Sequence, residues 1–261
     1  MEPRNALSPS PYDLTLAAWR WLEYVGLIGF IGVIVVRRLA AMRPALHWAR
    51  PPMDRWLTAA LIGGLGGLIV QALHGTQPTV VGVIRVTAEA IALALCLYGR
   101  PWVVVPGVFA AASLAFAGHA ASVNPAAGAI FTDALHVLSA GMWAGGILVL
   151  SYLRPPSGWW GGEGRAMLER FGRVAFLAFA VTALTGVLRA TEELRGLSDL
   201  WATQYGVVLS AKSAGVAVMV AMSALVWRRG LPIARAEAAV VLLVLAMTAA
   251  LAAFPMPPGQ A

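Results

Sequence analysis

Residues 130–152 read IFTDALHVLSAGMWAGGILVLSY. In 23 residues this stretch carries only two acidic or basic side chains short of its final tyrosine, Asp133 and His136. As a helix it would span about 34 Å at 1.5 Å per residue, enough to cross a hydrocarbon layer of about 30 Å. It does not alternate apolar and polar residues, as a barrel strand would. Backbone groups inside lipid must be satisfied within the segment, so a continuous apolar run of this length predicts a transmembrane helix.

The same pattern recurs on both sides. Apolar segments read as Trp19–Val36, Trp56–Leu73, Val80–Tyr98, Trp102–Gly118, Ile130–Tyr152, Phe171–Leu188, Tyr205–Trp227 and Ala236–Phe254. Tryptophan or tyrosine stands at many of these ends, where amphipathic rings favour the headgroup level. The 261 residues are 59% hydrophobic and only 12% charged, with a mean hydropathy of +0.75, too little charge to keep a soluble surface wet. The expectation is an all-α fold: one polytopic transmembrane bundle of about eight helices occupying residues 1–261. The loops at 37–55 and 153–170 read as Pro/Gly-rich connectors.

A net charge of +7 raises the question of nucleic acid. However, 13 of the 19 basic residues fall in alternate connections: Arg37, Arg38, Arg43, Arg50, Arg55, Arg100, Arg154, Arg165, Arg170, Arg173, Arg228, Arg229 and Arg235. That bias is the positive-inside pattern, so the partner of the charge is the lipid bilayer and no nucleic acid is implied. It places the N-terminus, and after an even number of spans the C-terminus, on the non-cytoplasmic side. The opening MEPRNALSPSPYD is polar and proline-rich, and the first helix is expected to act as its own insertion signal. A lone cysteine, Cys96, excludes an internal disulfide framework and a cysteine-rich metal site.

This topology sorts the four histidines. His47 falls in a basic inside loop. His74 ends the second helix, His119 ends the fourth, and His136 lies about two turns into the fifth, so these three are expected to reach the outer face. An ionisable group inside an apolar run is costly, and His136 is by default a functional candidate. Asp133 is three residues earlier on the same helical face. It could ligate a metal, orient the imidazole by accepting its other N–H, or simply cap the helix. His74 reads equally as an interfacial polar residue at a helix end. Imidazole suits copper, zinc, iron or nickel, and the spacing alone does not choose among them. Other intramembrane charges need partners: Arg85 and Glu89, at i and i+4, can pair with each other, while Glu23, Lys212, Arg189 and Glu237 remain.

Several pieces, in order, resemble the copper resistance protein D family of bacterial inner-membrane proteins. They are AGHAA (117–121), DALHVLSAGMWAGGILVL (133–150), RFGRVAFLAFAVTALTGVLRA (170–190) and YGVVLSAKSA (205–214), followed by a last helix that opens RAEAA and closes on PMPP. The resemblance covers roughly the last 150 residues, and its most specific element is DxxH followed by Trp-x-Gly-Gly. It implies a multi-pass protein of the bacterial inner membrane that transports or handles copper and is not an enzyme. It further implies His119, Asp133 and His136 as polar positions near the outer face and a separate periplasmic copper-binding protein as partner. The competing expectations are a b-type haem subunit of a redox complex, with two histidines as axial ligands, and a structural or assembly subunit.

Overall fold

A computed structural model describes residues 10–117, 126–193, 198–202, 204–229 and 234–253. Among the described residues every regular element is helical. The chain order is α1 (Pro11–Ala40), α2 (Asp54–Leu73), α3 (Val80–Leu97), α4 (Val104–Ala112), α5 (Ala126–Ala140), α6 (Gly146–Tyr152), α7 (Gly162–Glu193), α8 (Asp199–Ala202), α9 (Gln204–Arg229) and α10 (Ala234–Ala253). Short 3₁₀ turns at Pro101–Val103 and Ser113–Ala117 flank α4. A wide π turn at Gly141–Gly145 joins α5 to α6 as one span.

Among the described residues six stretches are long and apolar enough to cross a membrane: Asp54–Leu73, Val80–Leu97, Ala127–Tyr152, Gly162–Leu188, Gly206–Leu225 and Ala234–Ala253. The shorter apolar stretch Pro101–Phe116 and the 30-residue α1 complete the expected bundle. Large apolar side chains face outward on α2 (Ile62, Ile69), α3 (Val83, Ile91), α4 (Val105, Phe109) and α7 (Phe176, Leu184). In water such a surface would aggregate, whereas in lipid it is the favoured face.

Helix α1 is the hub. It packs against α2, α10, the π turn, α6 and α4, and Leu27, Phe30, Val33 and Val36 on it are fully enclosed. Its neighbours come close through small residues, as helices in lipid tend to do. Gly26 of α1 lies against the backbone of Ala60, and Gly63 of α2 against the backbone of Glu23. The tightest crossing is Gly32 of α1 on Gly145 of the π turn, where a Cβ on either glycine would overlap backbone atoms of the other helix.

Two helices start eight or more residues earlier than hydropathy alone predicts. Helix α1 begins at Pro11 rather than Trp19, because Ser10 and Asp13 form a reciprocal cap: the Asp13 amide donates to Ser10 Oγ (3.2 Å) and the Ser10 amide to Asp13 Oδ2 (2.9 Å). Pro11 at the first helical position needs no donor partner. Helix α7 begins at Gly162 rather than Phe171, so the second half of the expected 153–170 connector is helical. Met167 there is fully buried, Arg165 pairs with Glu169 one turn on (3.0 Å), and Arg170 donates to the carbonyls of Leu39 in the last turn of α1 and of Met42 and Pro44 just after it. The expected Trp102–Gly118 span is broken into turn, helix and turn.

Candidate functional site

His136 faces α7. Its Nδ1 lies 3.0 Å from the carbonyl oxygen of Thr182 and 3.0 Å from Oγ1 of Thr185. A carbonyl can only accept, and the Thr185 hydroxyl already donates to the carbonyl of Val181 (2.7 Å). Nδ1 therefore carries a proton and donates to both, so that in the neutral ring the lone pair belongs to Nε2. This is the arrangement that orients a metal-binding histidine, with one nitrogen anchored by an acceptor and the other presenting its lone pair.

The anchor is built into a buried polar strip between α5 and α7. The Thr182 hydroxyl donates to the carbonyl of Ala178 (2.8 Å) and shares a 2.7 Å hydrogen bond with Ser139 Oγ. Ser139, Thr182 and Thr185 are all buried. Gly186, one residue past Thr185, makes room for the ring, since a Cβ there would stand 3.3 Å from His136 Cε1. Trp143 meets Phe179 edge-on (centroids 4.9 Å apart) and packs the next turn.

Three of the four sequence-predicted residues, Asp133, His136 and His74, lie among the described residues. Asp133 and His136 share α5, three residues apart. Because α5 begins at Ala126, His136 stands ten residues, or about 15 Å, from the helix start, deeper than two turns. His74 caps the end of α2, where its Nδ1 lies 2.9 Å from the Val70 carbonyl and its ring packs 4.6 Å from Tyr12. Helix α2 packs on α1 and α3, and α5 packs on α7, α4 and α1. His119 lies outside the described residues. Among the described residues, no group of three or more His, Cys, Asp or Glu is gathered to hold a metal ion. The sequence reading missed Ser139, Thr182, Thr185 and Gly186. The pattern TALTG (182–186) carries the signal, with two hydroxyls one turn apart and a glycine beside the second.

The expected Arg85–Glu89 pairing is overturned. Arg85 of α3 instead pairs with Glu23 of α1, its Nε at 2.6 Å from Oε1 and its Nη2 at 3.4 Å from Oε2. Helix α1 brings Glu23 against the guanidinium, whereas Glu89 accepts no hydrogen bond. Glu237 of α10 is buried and accepts from Ser223 of α9.

Residues 165–254 match the copper resistance protein D family. The family resemblance read from the sequence is borne out over that stretch, which includes the two threonines that hold His136. Copper transport protein CutJ of Bacillus subtilis (strain 168) is 32% identical over 159 residues, covering 56% of this chain and 29% of that protein. The matched stretch thus spans less than a third of the length of this curated relative. No solved structure matches the chain. With its membrane-length apolar helices and a stretch that matches this family, the chain is a multi-pass membrane protein.

Proposed function

We propose that the protein moves or hands over copper at the bacterial inner membrane, with the metal as cargo and His136 as its first ligand inside the bundle. The observation that carries this reading is the anchored imidazole. Its Nδ1–H is fixed by Thr182 and Thr185 on α7, within the stretch that matches copper resistance protein D, so Nε2 is the coordinating atom. Asp133 on the same helix and His119 in the preceding connection supply the further ligands, and His74 at the end of α2 acts as an outer capture point. The family match and the name of the Bacillus subtilis relative support copper over the other metals that imidazole accepts. On the positive-inside pattern, both chain ends and the entrance lie on the periplasmic side, where a separate copper-binding protein would deliver or receive the ion.

Metal analysis tests this directly. Protein purified from copper-supplied membranes should retain copper, and His136→Ala and His119→Ala should each lose most of it. Equal copper in wild type and both variants would overturn the reading. A Soret band in the purified protein would overturn it in favour of haem ligation.

The threonine anchor gives a finer expectation. Thr185→Val keeps the shape of the side chain but removes an acceptor from His136 Nδ1–H. Copper affinity should fall about 10- to 100-fold, as when other orienting partners of a metal ligand are removed. A competition titration with a colorimetric chelator measures it.

A further inference from the structure

Two carboxylates and one guanidinium are buried together where α1, α2 and α3 meet. Glu23 and Arg85 form the ion pair described above, and Glu89 lies one turn further along α3. Glu89 is completely enclosed, and neither of its oxygens meets a donor. A Cβ built on Gly64 of α2 would stand 2.7 Å from Glu89 Oε2 and 3.2 Å from Glu23 Oε1, so both carboxylates converge on the same point of the α2 backbone. Ionised, Glu89 would add a second carboxylate charge beside the one already paired with Arg85, with no donor of its own. An uncompensated carboxylate inside a membrane protein is costly, and such groups mark ion or proton pathways.

A cavity of about 250 Å³ leads to this cluster. It is lined by Arg20 and Glu23 of α1, Gln71 of α2, Thr79 and Arg85 beside and on α3, and Phe116. Leu16, Gln71 and Thr79 lie at the end where α1 and α3 begin and α2 ends, while Glu23, Gly64 and Arg85 are the deepest lining residues on their helices. Two of the lining residues carry buried polar atoms without a protein partner, the donor Arg85 Nη1 and the acceptor Gln71 Oε1. One donor, one acceptor and room for several molecules of about 30 Å³ each suit water. Glu89 is nine residues, or about 14 Å, from the first residue of α3, close to half the thickness of a hydrocarbon core.

We propose that Glu89, with Glu23 and Arg85, is a proton-exchange site in the membrane interior, loaded through this cavity. The step is a proton transfer alone. A hydronium ion in the cavity gives up a proton, by way of Glu23, to the Glu89 carboxylate: one O–H bond of the hydronium breaks, one forms on Glu89, and water is left; release is the reverse, and no electrons move. The protonated carboxyl can donate to the neighbouring carboxylate across Gly64, which satisfies both. The charged and titratable groups facing the site are Arg20, Glu23 and Tyr24 from α1 and Arg85 from α3 itself. The facing stretch of α2 is glycine-rich, and residues 101–117 contain no titratable side chain. The site is separate from His136 and does not depend on the copper reading. It would let movement of a cation through the bundle be coupled to a proton gradient.

Infrared difference spectroscopy across a pH change, on the full chain in lipid nanodiscs, tests the proposal. Wild type should gain a carboxylic-acid carbonyl band that shifts in heavy water. Glu89→Gln should lose that band, and Glu89→Asp should keep it at a displaced frequency. The assignment is overturned by a band of equal size in wild type and Glu89→Gln, or by no band in wild type at any pH at which it stays folded. It is equally overturned by the same band appearing on addition of sodium at fixed pH. If Glu89→Gln fails to fold, an unchanged frequency in Glu89→Asp overturns it alone.

Discussion

Replacing Arg85 with methionine should destabilise the protein by about 3–5 kcal/mol, because it leaves Glu23 buried without its counter-charge. The side chain packs similarly, so little of the loss comes from a cavity. The double change Glu23→Leu with Arg85→Met should recover most of that loss. Replacing both members of a buried pair with apolar residues is often neutral, while removing one is not. Thermal or denaturant unfolding of the two variants in detergent, followed by size-exclusion chromatography, measures the contrast. A single variant as stable as wild type would mean that Glu23 reaches water or another cation when Arg85 is gone.

The second large effect is expected at the α1–π-turn crossing. Gly145→Val should cost more than about 3 kcal/mol, at or beyond the upper end of ordinary overpacking. The reason is the identity of the obstructing atoms. A Cβ on Gly145 would meet the carbonyl of Ile28, and one on Gly32 would meet the carbonyl carbon and oxygen of Gly145. No rotamer change moves backbone, so α1 would have to separate from the span that carries His136. Gly67→Ala on α2 is the control. Its Cβ would find nothing nearer than Leu16 Cδ1 at 4.0 Å, so stability should hold or rise by about 0.4–1 kcal/mol. Yield of monodisperse protein and melting temperature distinguish the two glycines.

Much of the fold was legible because lipid imposes one rule on every span, and apolar length reports it directly. Where the reading fell short, local chemistry or distant packing had overridden hydropathy. The start of α1 was written in Ser10, Pro11 and Asp13, whose polarity reads as loop until their capping geometry is considered. Arg165, Glu169 and Arg170 similarly lower the hydropathy of the first turns of α7 while holding them helical. The i, i+4 spacing of Arg85 and Glu89 pointed to the wrong partner because that rule describes a helix surface on its own, and α1 brings a better-placed carboxylate. At the histidine, position 136 stood out as a charge-capable group in an apolar run. Its partners did not, because Thr182 and Thr185 are 46 and 49 residues away and only the packing of α5 on α7 joins them.

The wide turn at Gly141–Gly145 lets one membrane crossing serve two neighbours. It amounts to an α-helix with one residue inserted, and a single residue is worth about 100° of rotation. Upstream of it His136 is aimed at α7, while Gly145 at its end meets Ile28 of α1 and Gly146 just beyond it meets Phe171 of α7. Removing any one residue of the turn would swing one of these two faces away by more than a quarter of a circle. Length polymorphism should therefore be tolerated in the connectors but not here, where the extra residue sets the bearing of the imidazole relative to the hub.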